Sequence, residues 1–133
     1  MDHRAFAKPK RILVLDDDPI LRMVAEPALK VLGYDVLLMA DGLHDDSFFA
    51  NLKVDSAIVD LGLPGISGLD VIAKLRASER GRDMPIFVIT GSRDTGDINT
   101  CYEDGNVLFV MSKPVDWTFL TEQLQLALEA RCP

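Results

Sequence analysis

The pattern that most limits what this chain can become is a short apolar run that stops at a polar residue, repeated five times in 133 residues. The runs occupy residues 11–15, 34–39, 56–59, 85–90 and 107–111. They are too short for core helices, rich in Val, Ile, Leu and Phe, and closed by turn formers, so each reads as a strand. Their sides do not alternate between apolar and polar. Strands of that kind are buried on both faces, which implies a parallel sheet covered by helices above and below. Helical stretches stand between them, so the chain reads as five strand–helix units. The leading topology is a flavodoxin-like (βα)5 three-layer sandwich with strand order 2-1-3-4-5.

Punctuation supports the helices. Asp18 is a good N-cap and Pro19 a good first residue for a helix carrying Ile20, Met23, Val24, Ala28, Val31 and Leu32, which Gly33 closes. Pro27 is out of place there, because a proline inside a helix removes a hydrogen bond and costs roughly 3 kcal/mol; a kink is expected. Residues 45–52 form a short second helix. Ser67 with Asp70 makes a capping-box arrangement for a third. A short, weak fourth helix is placed at residues 98–104, after a stretch of turn formers at 91–97. Asp116 caps the last helix, whose stripe of Trp117, Leu120, Leu124, Ala127 and Leu128 reads as core.

One domain fits this length, assigned to residues 11–131 behind a polar lead-in at 1–10. The 48% hydrophobic and 26% charged content is that of an ordinary globular chain. No run reaches membrane-span length and no signal peptide is visible, so a cytoplasmic location is the default expectation. The formal net charge is −7. With no basic stripe, direct nucleic-acid binding is not expected. Cys101 and Cys132 lack metal-ligand spacing and read as free thiols. His3 and His44 are too few for a histidine metal site.

The chemistry lies where the strands stop. The first ends in Asp16-Asp17, the third in Asp60, the fourth in Thr90, and Lys113 comes just after the fifth. In a parallel sheet these ends share the edge where open α/β folds put their sites. Clustered carboxylates raise one another's pKa, and a divalent cation relieves this. All-oxygen ligands without His or thiolate select a hard ion, and an incomplete shell suits Mg²⁺. A lone lysine pairs with phosphate and a threonine hydroxyl donates to another oxygen. One carboxylate remains free to act as a nucleophile and form an aspartyl phosphate.

At this point the chain resembles the receiver domain of two-component response regulators. The resemblance rests on Ile12-Leu13-Val14-Leu15-Asp16-Asp17-Asp18-Pro19, on Val59-Asp60-Leu61-Gly62-Leu63-Pro64-Gly65-Ile66-Ser67-Gly68, on Thr90-Gly91 and on Lys113-Pro114, in that order. It implies that Asp60 is the phosphoacceptor, that Asp16, Asp17, Asp60 and the backbone carbonyl of Gly62 hold Mg²⁺, and that Thr90 and Lys113 contact the phosphoryl group. The donor would be a histidine kinase or a histidine phosphotransfer protein, and phosphorylation would switch the conformation that controls an output protein or fused domain. The chain would catalyse only transfer onto its own aspartate and slow dephosphorylation, and is not expected to be an enzyme; a homodimer is possible by the same resemblance. Two departures stand out. Receivers usually carry Tyr or Phe three residues before the lysine, a position held here by Val110, with Phe109 beside it. The segment from Gly105 to Lys113 is also one residue longer than usual, so either a bulge lets Phe109 take the aromatic's role or that role is absent. Gly62, two residues after Asp60, leaves the acceptor without a screening side chain. The alternative is a phosphorylation-independent interaction module. A Mg²⁺-dependent phosphatase lacks the chain length for a substrate cap.

Overall fold

The computed structural model describes residues 8–91, 95–104 and 107–130. His3, Ser92, Cys132, Arg131 and most of the lead-in lie outside them. Strands β1 (Arg11–Leu15), β2 (Asp35–Met39), β3 (Ser56–Asp60), β4 (Ile86–Thr90) and β5 (Val107–Ser112) alternate with helices α1 (Pro19–Lys30), α2 (Asp46–Ala50), α3 (Gly68–Arg76), α4 (Thr95–Glu103) and α5 (Trp117–Ala130). All pairings are parallel, in the order β2-β1-β3-β4-β5. The expected topology is therefore the observed one.

Alternation along the strands divides the core in two. Leu13, Leu15, Ala57, Val59, Ile86 and Val88 face one side and meet Phe49 of α2, Val71, Ile72 and Leu75 of α3 and Cys101 of α4. Ile12, Val14, Ile58, Phe87 and Ile89 face the other, against Ala25 and Leu29 of α1 and Leu120, Leu124 and Leu128 of α5. β3 and β4 are buried along their whole length, as continuous apolar runs with helices on both faces must be. Cys101 is a buried thiol outside any disulfide. No helix among the described residues is long and apolar enough to cross a membrane.

The helix ends obey local chemistry. Asp18 Oδ1 accepts from the Ile20 N–H at 2.9 Å with Pro19 next in line. Asp116 Oδ1 accepts from the Phe119 N–H at 3.0 Å. Ser67 Oγ accepts from the Leu69 N–H, one residue short of the Asp70 amide that a full capping box would use. α1 stops at Lys30, two residues before the apolar pattern does, and Gly33 takes φ +91° in the turn beyond it. The helix runs on through Pro27, an exposed position. α4 begins at Thr95 instead of residue 98, because residues read as turn formers also suit a first helical turn.

Two devices hold α3 in place, one at each of its ends. Arg76 at the end of α3 makes a two-pronged ion pair with Asp104, Nε to Oδ2 at 2.8 Å and Nη2 to Oδ1 at 3.2 Å. Its Nη1 also donates to the carbonyls of Gly81 and Met84, tying the α3–β4 loop to the end of α4. At the other end of α3, Gly68 lies directly on the chain at Asp60. A Cβ there would fall 2.4 Å from the Asp60 carbonyl oxygen and 2.7 Å from Leu61 Cα. Both are backbone atoms, so something must shift. Gly68→Ala is expected to lower stability by about 1–3 kcal/mol through overpacking, measured by urea unfolding monitored by circular dichroism.

Candidate functional site

Four strand ends meet at the carboxyl edge of the sheet. Asp60 is the last residue of β3, 3% exposed, and Asp16, directly after β1, is fully buried. Asp17 is exposed beside them. One carboxylate oxygen from each of Asp16, Asp17 and Asp60 lies within 4.8 Å of the others. Thr90 closes β4, buried, one residue beyond the Asp60–Ile89 register pair. Its carbonyl accepts from the Lys113 N–H at 3.0 Å, which brings the β5–α5 loop over the acids. The sheet thus brings the strand-end residues singled out in the sequence to one edge.

Lys113 is the electrostatic centre. Its Nζ lies 2.8 Å from Asp16 Oδ2 and 3.2 Å from Asp60 Oδ2. Asp60 Oδ1 accepts from the Gly62 N–H at 3.0 Å, so both acceptor oxygens have a fixed direction. Asp16 Oδ1 accepts from the Asp18 N–H at 2.8 Å. Asp16 Oδ2 touches Lys113 as an ion pair, but at an angle that makes no hydrogen bond. It is a fully buried oxygen with lone-pair capacity left. A buried carboxylate oxygen of that kind, beside two more carboxylates, is chemistry that a hard cation completes. The three acids therefore suit a metal ion. Gly62 enters the site through its N–H, and a Cβ there would stand 3.7 Å from Asp60 Oδ1, directly beside the acceptor.

The fifth strand resolves the open question of its extra residue. β5 pairs Val107 with Ile86 but Phe109 with Phe87, so Leu108 is the residue left over in a bulge. The bulge does not put an aromatic in the place of Val110. Val110 packs on the α2–α3–α4 side. Phe109 faces the α1–α5 side, where it stacks on Phe87 at 6.3 Å and meets Phe119 edge-on at 5.1 Å. Residues on successive positions of a strand point to opposite faces, so one bulge before Phe109 cannot bring it to Val110's side. His44 belongs to no acidic or metal cluster among the described residues and stacks on Phe48 instead. Two residues escaped the sequence reading. Arg22, whose Nη1 donates to the Asp16 carbonyl at 2.7 Å, gives no signal beyond its place four positions after a helix cap. Gly68 enters the sequence analysis only as the last residue of the motif around Asp60.

The family pattern described as "Response regulator receiver domain" matches residues 12–125, and the chain belongs to that family. It is 35% identical over 122 residues to the DNA-binding response regulator MtrA of Mycolicibacterium smegmatis, covering 92% of this chain and 50% of that protein. The receiver domain of the sensor histidine kinase PA1611 from Pseudomonas aeruginosa, solved with a magnesium ion in its active-site cleft, is 32% identical, with a TM-score of 0.74 over 88% of this chain and 95% of that one. A CheY-like receiver domain protein from Methanospirillum hungatei shares the fold, with a TM-score of 0.81 at 23% identity over 92% and 95% of the two chains. The chain spans about half the length of the curated relatives it matches. These relatives correct one expectation. The absence of direct nucleic-acid binding does not stand, since a relative such as MtrA is a DNA-binding regulator. The charge of a receiver segment says nothing about what a whole regulator of twice its length contacts.

Burial works against the Lys113 ammonium, but its contacts with the Asp16 and Asp60 carboxylates, and their charges, outweigh it and hold its pKa above the ordinary 10.5. A raised lysine pKa contributes stability that is complete below about pH 10.5 and lost as pH climbs through the folded value. Tyr34, pushed above its ordinary 10.0 by burial and by Glu129, also titrates in the alkaline range. The lysine's share is therefore the difference between two proteins. In EDTA, urea unfolding from about pH 10.5 upward should show a steeper loss for the native chain than for Lys113→Met. Near pH 8 the variant should be about 2 kcal/mol less stable, less than a dry pair would give because Lys113 keeps 26% exposure.

Proposed function

We propose that this receiver domain accepts a phosphoryl group on Asp60 from the phosphohistidine of a histidine kinase or histidine phosphotransfer protein. The observation that carries the reading is the state of the Asp60 carboxylate: buried, aimed by the Gly62 N–H, paired with Lys113 and grouped with Asp16 and Asp17. In the transfer an Asp60 oxygen forms a bond to phosphorus, the phosphorus–nitrogen bond breaks, and the imidazole leaves with its electron pair and takes up a proton. Asp16, Asp17, Asp60 and the carbonyl of Gly62 would hold Mg²⁺, which supplies charge neutralisation to the phosphoryl oxygens. Lys113, already 3.2 Å from Asp60, pairs with a phosphoryl oxygen once the carboxylate is phosphorylated. Thr90, at the neighbouring strand end, offers its hydroxyl to another. The loose transition state of phosphoryl transfer asks for positioning and charge more than for covalent chemistry, and this site consists of those two things.

The chain is an acceptor that turns over on itself and acts on no separate substrate. Its product is a conformation, in which the phosphoryl group makes contacts that the free carboxylate does not. In a longer regulator that conformation would act on an output region, and the relationship to MtrA supports a DNA-binding one.

Incubation with Mg²⁺ and acetyl phosphate, with intact-mass analysis of the product, should add one phosphoryl group to the native chain. None should appear on Asp60→Asn or in EDTA. Thr90→Ala should still be labelled, and Lys113→Met should be labelled at least about tenfold more slowly, as for loss of one charge aimed at the reacting group. An equal adduct on Asp60→Asn, or no Mg²⁺-dependent adduct on the native chain, overturns the reading in favour of an interaction module that works without phosphate.

A further inference from the structure

Asp16 is gripped from every side. Its N–H donates to the Met39 carbonyl at 3.1 Å, Oδ1 accepts from the Asp18 N–H at 2.8 Å, and Oδ2 meets Lys113. The remaining polar atom, the main-chain carbonyl, accepts from Arg22 Nη1 at 2.7 Å. Arg22 is the fourth residue of α1. A cation so close to a helix N-terminus stands against the helix dipole, which favours anions there. The Arg22 backbone is committed to the helix, its N–H donating to the Asp18 carbonyl at 3.2 Å, so the side chain folds back past the cap to reach Asp16. An unfavourable place for a charge, combined with a short bond to the main chain of a buried acid, calls for a purpose.

We propose that Arg22 is a positioning residue for the acid pair. By fixing the Asp16 carbonyl it sets the turn through Asp17, so that the unsatisfied Asp16 Oδ2 and the Asp17 carboxylate face the same point as Asp60. The inference rests on the reading that these acids hold a divalent cation. Arg22 exerts two opposed effects on such an ion. Its charge repels the ion, and its hydrogen bond holds the ligands in place. If charge dominates, removing Arg22 tightens cation binding; if position dominates, removing it weakens binding.

The test is a Mg²⁺ titration of the native chain, Arg22→Met, Arg22→Gln and Arg22→Lys. Isothermal calorimetry and Trp117 fluorescence read it independently. Trp117 lines a groove of about 420 Å³ together with Asp18, Pro114 and Lys113, which places it beside the site. The expected result is a Mg²⁺ Kd about tenfold weaker or more for Arg22→Met, in the range seen when partners of metal ligands are removed. Arg22→Lys should fall between it and the native chain. Acetyl phosphate labelling of Arg22→Met should be slow at low Mg²⁺ and recover at saturating Mg²⁺. Arg22→Gln, which keeps a donor without the charge, should bind Mg²⁺ more tightly than Arg22→Met. Unfolding in EDTA confirms that each variant is folded, and Arg22→Lys serves if Arg22→Met is not. An unchanged or tighter Kd for folded Arg22→Met, or for Arg22→Lys in its place, overturns the inference while leaving the site's metal reading intact. A native chain that shows no Mg²⁺ response overturns both.

Discussion

The structure depends on one electrostatic arrangement: a single ammonium, Lys113, set against two buried carboxylates, Asp16 and Asp60, with a third acid at hand. Buried like charges are costly, and removing one partner of a buried pair is more costly still. Much of the surrounding architecture keeps that arrangement in order. Parallel pairing brings the strand ends to one edge. The Thr90 carbonyl hooks the β5–α5 loop so that Lys113 arrives over the acids. Gly68 lets α3 start in contact with the backbone of Asp60, leaving no room for that strand end to relax. Three carboxylates outnumber Lys113 and the Arg22 guanidinium behind Asp16 and leave the site under-neutralised, and that imbalance makes both a divalent cation and a transferred phosphoryl group with its cation consequential here.

The two faces of the sheet are packed differently around β5. On the α2–α3–α4 side the position three residues before the lysine is Val110, a compact side chain. On the α1–α5 side, Phe87, Phe109 and Phe119 form a continuous aromatic series from the buried fourth strand to the half-exposed surface of α5. The same extra residue produces both facts, since the bulge at Leu108 decides which side chain points where in the rest of β5.

Most of the fold could be read from the residues alone. Runs that were apolar on both sides implied a parallel sheet, and caps such as Asp18 and Asp116 worked as their chemistry requires. The site was legible for the same reason, because polar residues at corresponding strand ends must meet once the strands are parallel. What could not be read depended on geometry between elements. Whether the long segment before Lys113 turned Phe109 or Val110 toward α4 was a matter of register, which sequence length raised and only pairing decided. Arg22 reaches a main-chain carbonyl, and a main-chain acceptor leaves no trace in the identity of the residue that owns it. The start of α4 was misplaced because Thr and Asp serve equally in turns and in first helical turns. Excluding nucleic-acid contact from this chain's charge failed because its relatives, about twice its length, include DNA-binding regulators, and the charge of the shared stretch does not report on the rest of such a protein.

The bulge at Leu108 has a further consequence, because β5 is an outermost strand. A flat border strand offers a regular row of unpaired N–H and C=O groups, a template onto which another extended chain can add. The leftover residue breaks that row close to its start and twists the remainder of the strand. A foreign strand could match the spacing on one side of Leu108 but not on both. The residue that lengthens β5 thus also guards the open border of the sheet against association with unrelated chains, including the partly unfolded copies that appear whenever a small domain opens.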